Sequence, residues 1–124
     1  MSFLRPLTAS ALASALLLAS AIPALAEPVP ADAVPADAPA IQLLGNAFTP
    51  GDAVVPVGTT VVFTNLDPEE HDVVPMDPNF SLDVSFFSPI IEPGTGWAFT
   101  FTVPGTYAYM CDLHANMTGT LTVA

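Results

Sequence analysis

The sequence predicts an all-β domain, a sandwich or barrel of short strands. Three observations carry that prediction. Apolar and polar residues alternate with period two in several stretches, as they do along a half-buried strand. Glycine and proline turns punctuate those stretches at close, regular intervals. From residue 41 on, no stretch of any length repeats its apolar residues at the helical period.

The elements follow in chain order. IQLLGN at 41–46 and AVVPV at 53–57 are short strands, and Pro56 marks the second as an edge or a bulge. TTVVFTN at 59–65 and HDVVPM at 71–76 are β-branched runs. WAFTFTV at 97–103 sets Trp97, Phe99, Phe101 and Val103 on one face, with Ala98, Thr100 and Thr102 on the other. TYAYMC at 106–111 puts Tyr107, Tyr109 and Cys111 on one face, and TGTLTVA at 118–124 opposes Leu121 and Val123 to Thr118, Thr120 and Thr122. Turns such as TPGD, EPGTG and VPGT separate the strands and favour antiparallel pairing. The longest connection, DPNFSLDVSFFSPIIEP at 77–93, has room for a short edge strand or a helical turn.

The 124 residues suffice for one domain. Residues 1–26 read as a secretory signal: Arg5 near the start, an apolar run, and small residues at Ala24 and Ala26 before the cleavage point. An uncleaved membrane anchor is the competing reading, but serines and Pro23 interrupt the run, which falls short of the roughly 20 apolar residues of a span. Residues 27–40, EPVPADAVPADAPA, repeat VPADA and read as an extended, disordered Pro/Ala/Asp-rich tether. The folded domain is then expected over 41–124.

Arg5 is the only Lys or Arg, against 12 Asp and Glu, so a chain without its first 26 residues carries a formal charge of −12. That excludes nucleic acid, whose phosphates need cationic neutralisation, and disfavours anionic membranes. It suits either solubility in a salty medium or long-range steering of a cationic protein partner.

The chemistry concentrates in YAYMCDLHANMTG, at 107–119. It holds the only cysteine, Cys111, and one of two histidines, His114, with Met117 three residues further on. The other histidine, His71, lies in NLDPEEHDVV. A single exported cysteine has no internal disulfide partner and needs burial or a use, and metal ligation is one. Thiolate, two imidazoles and thioether form a soft, mixed donor set, unsuited to calcium or magnesium and fitting a blue-copper electron-transfer site. Other readings of the same residues are a turn histidine paired with Glu69, Glu70 and Asp72, an inert core thiol, and a gap-filling methionine.

YMCDLHANMTGTLTV resembles the ligand loop of small blue copper proteins, the cupredoxins, and VVFTNLDPEEHDVV resembles their earlier segment, where an Asn-x-Asp turn leads to the first histidine. The likeness covers roughly 41–124. The loop spacing is similar to that of amicyanin-type loops and shorter than in plastocyanin or pseudoazurin. The resemblance implies a two-sheet Greek-key β-sandwich of about seven or eight strands. It also implies one type 1 copper ion at one end, with His71, Cys111 and His114 equatorial and Met117 axial.

Two departures stand out. Leu113 and Ala115 occupy positions where such loops usually carry proline, which leaves an extra backbone donor near the Cys111 sulfur; this is expected to raise the redox potential. Asp72 replaces the asparagine that ties the two ligand segments; an ionised Asp accepts from N–H groups but cannot donate.

The expected function is an exported, periplasmic, monomeric one-electron carrier serving redox partner proteins, such as a basic cytochrome c docking on an acidic rim of Glu69, Glu70, Asp72 and Asp112. The competing function is periplasmic copper storage, delivery or stress protection through the same residues. No enzyme is expected: a Cys111/His114 thiol hydrolase would need an orienting third group and an oxyanion hole, and neither is evident. No stable membrane insertion is expected after signal removal.

Overall fold

The computed structural model describes residues 28–29, 33–77, 82–83 and 85–124, so the expected signal at 1–26 lies outside the described residues. The described chain is all-β. Its strands are β1 (Pro28–Val29), β2 (Ala40–Leu43), β3 (Phe48–Thr49), β4 (Asp52–Val55), β5 (Thr59–Asn65), β6 (Val74–Pro75), β7 (Gly96–Phe101), β8 (Gly105–Met110) and β9 (Thr118–Val123). They form two sheets, ordered β1-β7-β5-β2-β3 and β4-β9-β8-β6. From β3 to β8 every connection passes from one sheet to the other, in the Greek-key manner.

All seven expected strands are present. The additions are β3, which pairs back on β2, and β1, which pairs antiparallel with Phe99 and Ala98 of β7. Pairing departs from the expectation in two places. β2 runs parallel to β5 and β4 parallel to β9, because strands that reach their neighbours by way of the opposite sheet need not turn back on themselves. The VPGT turn likewise makes no hairpin, since β7 and β8 lie in different sheets.

The period-two faces predict the core. Trp97, Phe99 and Phe101 of β7, Tyr107 and Tyr109 of β8, and Leu121 and Val123 of β9 are all buried between the sheets. The Tyr107 hydroxyl donates to the Val103 carbonyl at 2.6 Å. The centre of the core comes from the long connection, which among the described residues carries neither the strand nor the helical turn it has room for. Instead it inserts Phe86, 1% exposed. The Phe86 ring meets those of Phe63, Trp97, Phe99, Phe101, Tyr107 and Tyr109 at centroid distances of 5.3 to 6.3 Å. Aromatic rings at such offset and edge-on distances attract beyond simple burial.

β8 and β9 form the hairpin that carries the site. Their last registered pair is Met110 with Thr118, and the pair before it is Tyr109 with Gly119. Gly119 leaves room for a ring: a Cβ there would lie 2.6 Å from the buried Tyr109 ring.

Candidate metal centre

Cys111 follows β8 directly, so the strand's alternation points its sulfur into the core with Tyr107 and Tyr109, and the side chain is 2% exposed. The Cys111 N–H donates to the Met117 carbonyl at 2.9 Å, closing the loop at its base. That closure turns residues 112–116 back over the end of the sandwich. It leaves Met117 buried in the same core cluster as Cys111, with His114 between them and partly exposed.

His71 arrives from the opposite side, in the connection between β5 and β6. It bridges Ile91 in both directions, its N–H to the Ile91 carbonyl at 3.3 Å and the Ile91 N–H to its own carbonyl at 2.7 Å. The ring is fully buried.

Three donor atoms converge. His71 Nδ1 and His114 Nδ1 stand 3.2 Å apart, and each is 3.7 Å from Cys111 Sγ. Donors bonded at ordinary imidazole and thiolate lengths to one trigonal centre stand about 3.5 Å (N to N) and about 3.7 Å (N to S) apart. The observed triangle therefore needs adjustments of only a few tenths of an ångström to close on an ion. Among the described residues this is the group of His, Cys and carboxylate side chains suited to holding a metal. Two imidazoles, a thiolate and a neighbouring thioether suit copper of the type 1 class better than zinc, calcium or magnesium.

The surroundings tune the sulfur. Burial pushes the Cys111 thiol up from its ordinary range; the N–H groups of Asp72 and Leu113 pull it down, and the Asp72 carboxylate adds to the rise. The Asp72 N–H lies 3.5 Å from Sγ. Leu113, where the resemblance leads one to expect proline, keeps a backbone N–H that proline would lack. Asp72 ties the segments in the one direction open to a carboxylate, accepting the Asp112 N–H at 2.6 Å. It is buried rather than part of the rim, which leaves Glu69, Glu70 and Asp112 exposed.

Sequence reasoning brings together the three residues whose donor atoms converge, with Met117 buried in the same core cluster as Cys111, but passes over Asp67. Its carboxylate lies 2.8 Å from His71 Nε2. The Asp67 N–H donates to Asn65 Oδ1 at 2.9 Å, and Asn65, fully buried, donates its amide to the carbonyls of Glu69 and Ile91. The Asp67 carboxyl is held below its ordinary range, chiefly by the Asn46 N–H, with Gly45 and His71 adding to the effect against the cost of burial. The available signal was the Asn-x-Asp spacing, which marks a side chain capping the backbone two residues on.

The comparisons with known proteins agree with this geometry. Residues 9–123 match the cupredoxin-like domain family. The chain is 38% identical over 84 residues to chloroplastic plastocyanin of Hordeum vulgare and, at the same identity, to that of Oryza sativa subsp. indica. Each match covers 61% of this chain and 54% of the plastocyanin, so the chain spans about half the length of the curated relatives it matches. Among solved structures it resembles the oxidised state of a proline-to-alanine mutant of amicyanin and the Cu(I) form of a methionine-to-alanine mutant of amicyanin. Both have a TM-score of 0.67 and 26% identity, covering 79% of this chain and 92% of the other. With nearly all of its length matched and its sandwich shared, the chain belongs to the cupredoxin-like domain family, and His71, Cys111, His114 and Met117 form a site typical of type 1 copper carriers.

Proposed function

We propose that the protein is an exported, periplasmic one-electron carrier in which His71, Cys111 and His114 hold copper equatorially and Met117 holds it axially. The observation that carries this reading is the convergence of two imidazole nitrogens and a thiolate sulfur at 3.2 to 3.7 Å at one end of a rigid sandwich. Bound copper supplies a Cu(I)/Cu(II) couple. The protein's part is to keep the donors still. His71, Cys111 and Met117 are at most 2% exposed and belong to the packed interior, so a change of charge at their centre moves them little. His114 is 20% exposed and brings the site to the surface, which gives an electron a short way out. The reading assigns no catalytic reaction to the chain.

The exposed carboxylates of Glu69, Glu70 and Asp112 beside the site favour a cationic redox protein, such as a basic cytochrome c, in a small and transient encounter. Export rests on the sequence pattern of residues 1–26. Among the described residues, no helix is long and apolar enough to cross a membrane.

Adding Cu(II) to the purified protein tests the reading. An intense blue thiolate-to-copper absorption, lost in Cys111→Ser, is expected; a colourless wild type would overturn it. Rapid self-exchange of electrons supports the carrier, whereas fast release of Cu(I) to an acceptor would point to delivery.

A further inference from the structure

The geometry points to Asp67 as the positioning residue of the buried ligand: it holds the His71 imidazole with Nε2 protonated and Nδ1 free for the metal, and makes that nitrogen a stronger donor to Cu(II). The inference rests on the copper reading above.

Asp67 is held from 22 and 21 residues upstream. Leu44 and Ala47 close a two-residue turn between β2 and β3, with the Leu44 N–H on the Ala47 carbonyl at 3.0 Å. The turn's central residues, Gly45 and Asn46, both have positive φ, 65° and 56°. Such a turn demands residues that tolerate the left-handed region, and glycine and asparagine do. It aims two adjacent N–H groups at one carboxylate. Gly45 donates to Asp67 Oδ1 at 2.7 Å and Asn46 to Oδ2 at 3.0 Å.

A carboxylate that accepts two backbone N–H bonds is held in its ionised form, which has no proton to donate. Its third partner, His71 Nε2 at 2.8 Å on Oδ2, must therefore be a donor as well. A neutral imidazole protonated at Nε2 carries its lone pair on Nδ1, the atom that faces Cys111 and His114. Asp67 is only 8% exposed and His71 is fully buried, so water does not compete for the contact. A carboxylate on the far nitrogen of a ligating histidine fixes its orientation and raises its basicity. A more basic nitrogen favours the more highly charged Cu(II), which lowers the midpoint potential.

Two measurements test this. In the copper-free wild type, nitrogen-detected NMR of the His71 ring should show one tautomer, protonated at Nε2. A ring protonated at Nδ1 would overturn the inference, and this needs no variant. In the copper-loaded protein, Asp67→Asn keeps the shape and removes the charge. It should weaken Cu(II) relative to Cu(I) by about tenfold or more, a rise in midpoint potential of at least about 59 mV, with the blue absorption retained. Asp112→Asn, which removes an exposed charge on the ligand loop, should shift the potential far less. Equal shifts in the two variants, or none in Asp67→Asn, would overturn the role of Asp67. A colourless wild type would instead defeat the copper reading, and would be seen before any variant is made.

Discussion

The two histidines of the site are held in opposite ways. His71 is fully buried and pinned by distant segments: Ile91 through both backbone bonds, and Asp67, itself held from Gly45 and Asn46. His114 rides on the short loop between β8 and β9, is 20% exposed, and has Glu69 at 3.6 Å from its outer nitrogen. One ligand joins the site to the sandwich; the other joins it to the surroundings. A carrier needs both, since a site made only of buried ligands would be rigid but remote.

The sharpest way to break this contrast is to delete each ring from the copper-free protein. His71→Ala leaves a cavity and takes one of three donors from the buried Asp67 carboxylate, and should cost about 3 kcal/mol in urea denaturation. His114→Ala should cost less than about 1 kcal/mol. Equal losses would mean the two are held alike. Next in size is the strand beneath the loop. Gly119→Ala pushes a methyl into the Tyr109 ring and should cost about 1–3 kcal/mol by the same measurement. An unchanged stability would mean that β8 and β9 yield easily under the loop.

A smaller effect tests the loop's own contribution. Leu113→Pro removes an N–H that acts on the Cys111 sulfur. Less of the thiolate charge is then neutralised, and the midpoint potential should fall by about 20–65 mV, the value of one ordinary hydrogen bond. A rise would reverse the expected tuning. The smallest effect is a dependence on pH in the strand that delivers Cys111. Burial, with a lesser push from Asp83, raises the Tyr107 hydroxyl to about 12. Its contribution to stability is complete below the ordinary tyrosine value of about 10 and is lost as pH rises from there through about 12. Stability measured between pH 9 and 11 should fall, and less so in Tyr107→Phe.

The contrast also explains what could be read from the sequence. The spacing of Cys111, His114 and Met117 is local, set by one hairpin, and so it is visible in a single line of residues. The faces of β7, β8 and β9 are equally local, because strand alternation is a property of each strand alone. The cradle around Asp67 is not: its donors lie 22 and 21 residues away and act through backbone N–H groups, which any residue but proline supplies. Phe86 was hidden for a different reason. It stands in a stretch with no period, beside an exposed Phe87, and nothing local tells which of the two rings fills the core. The parallel pairs β2–β5 and β4–β9 depend on where the chain crosses between sheets, which turn chemistry does not encode.

The two residues of β1 have a consequence unrelated to the metal. Without them β7 would be the outermost strand of its sheet, with the backbone of Ala98 and Phe99 facing solvent. An open strand edge is a template for pairing with another chain. Pro28–Val29 occupies that edge with a segment only two residues long, one of them a proline that offers no N–H to a further strand. Trimming the chain back to residue 40 would therefore remove none of the ligands and still alter the protein, by exposing a sticky strand edge.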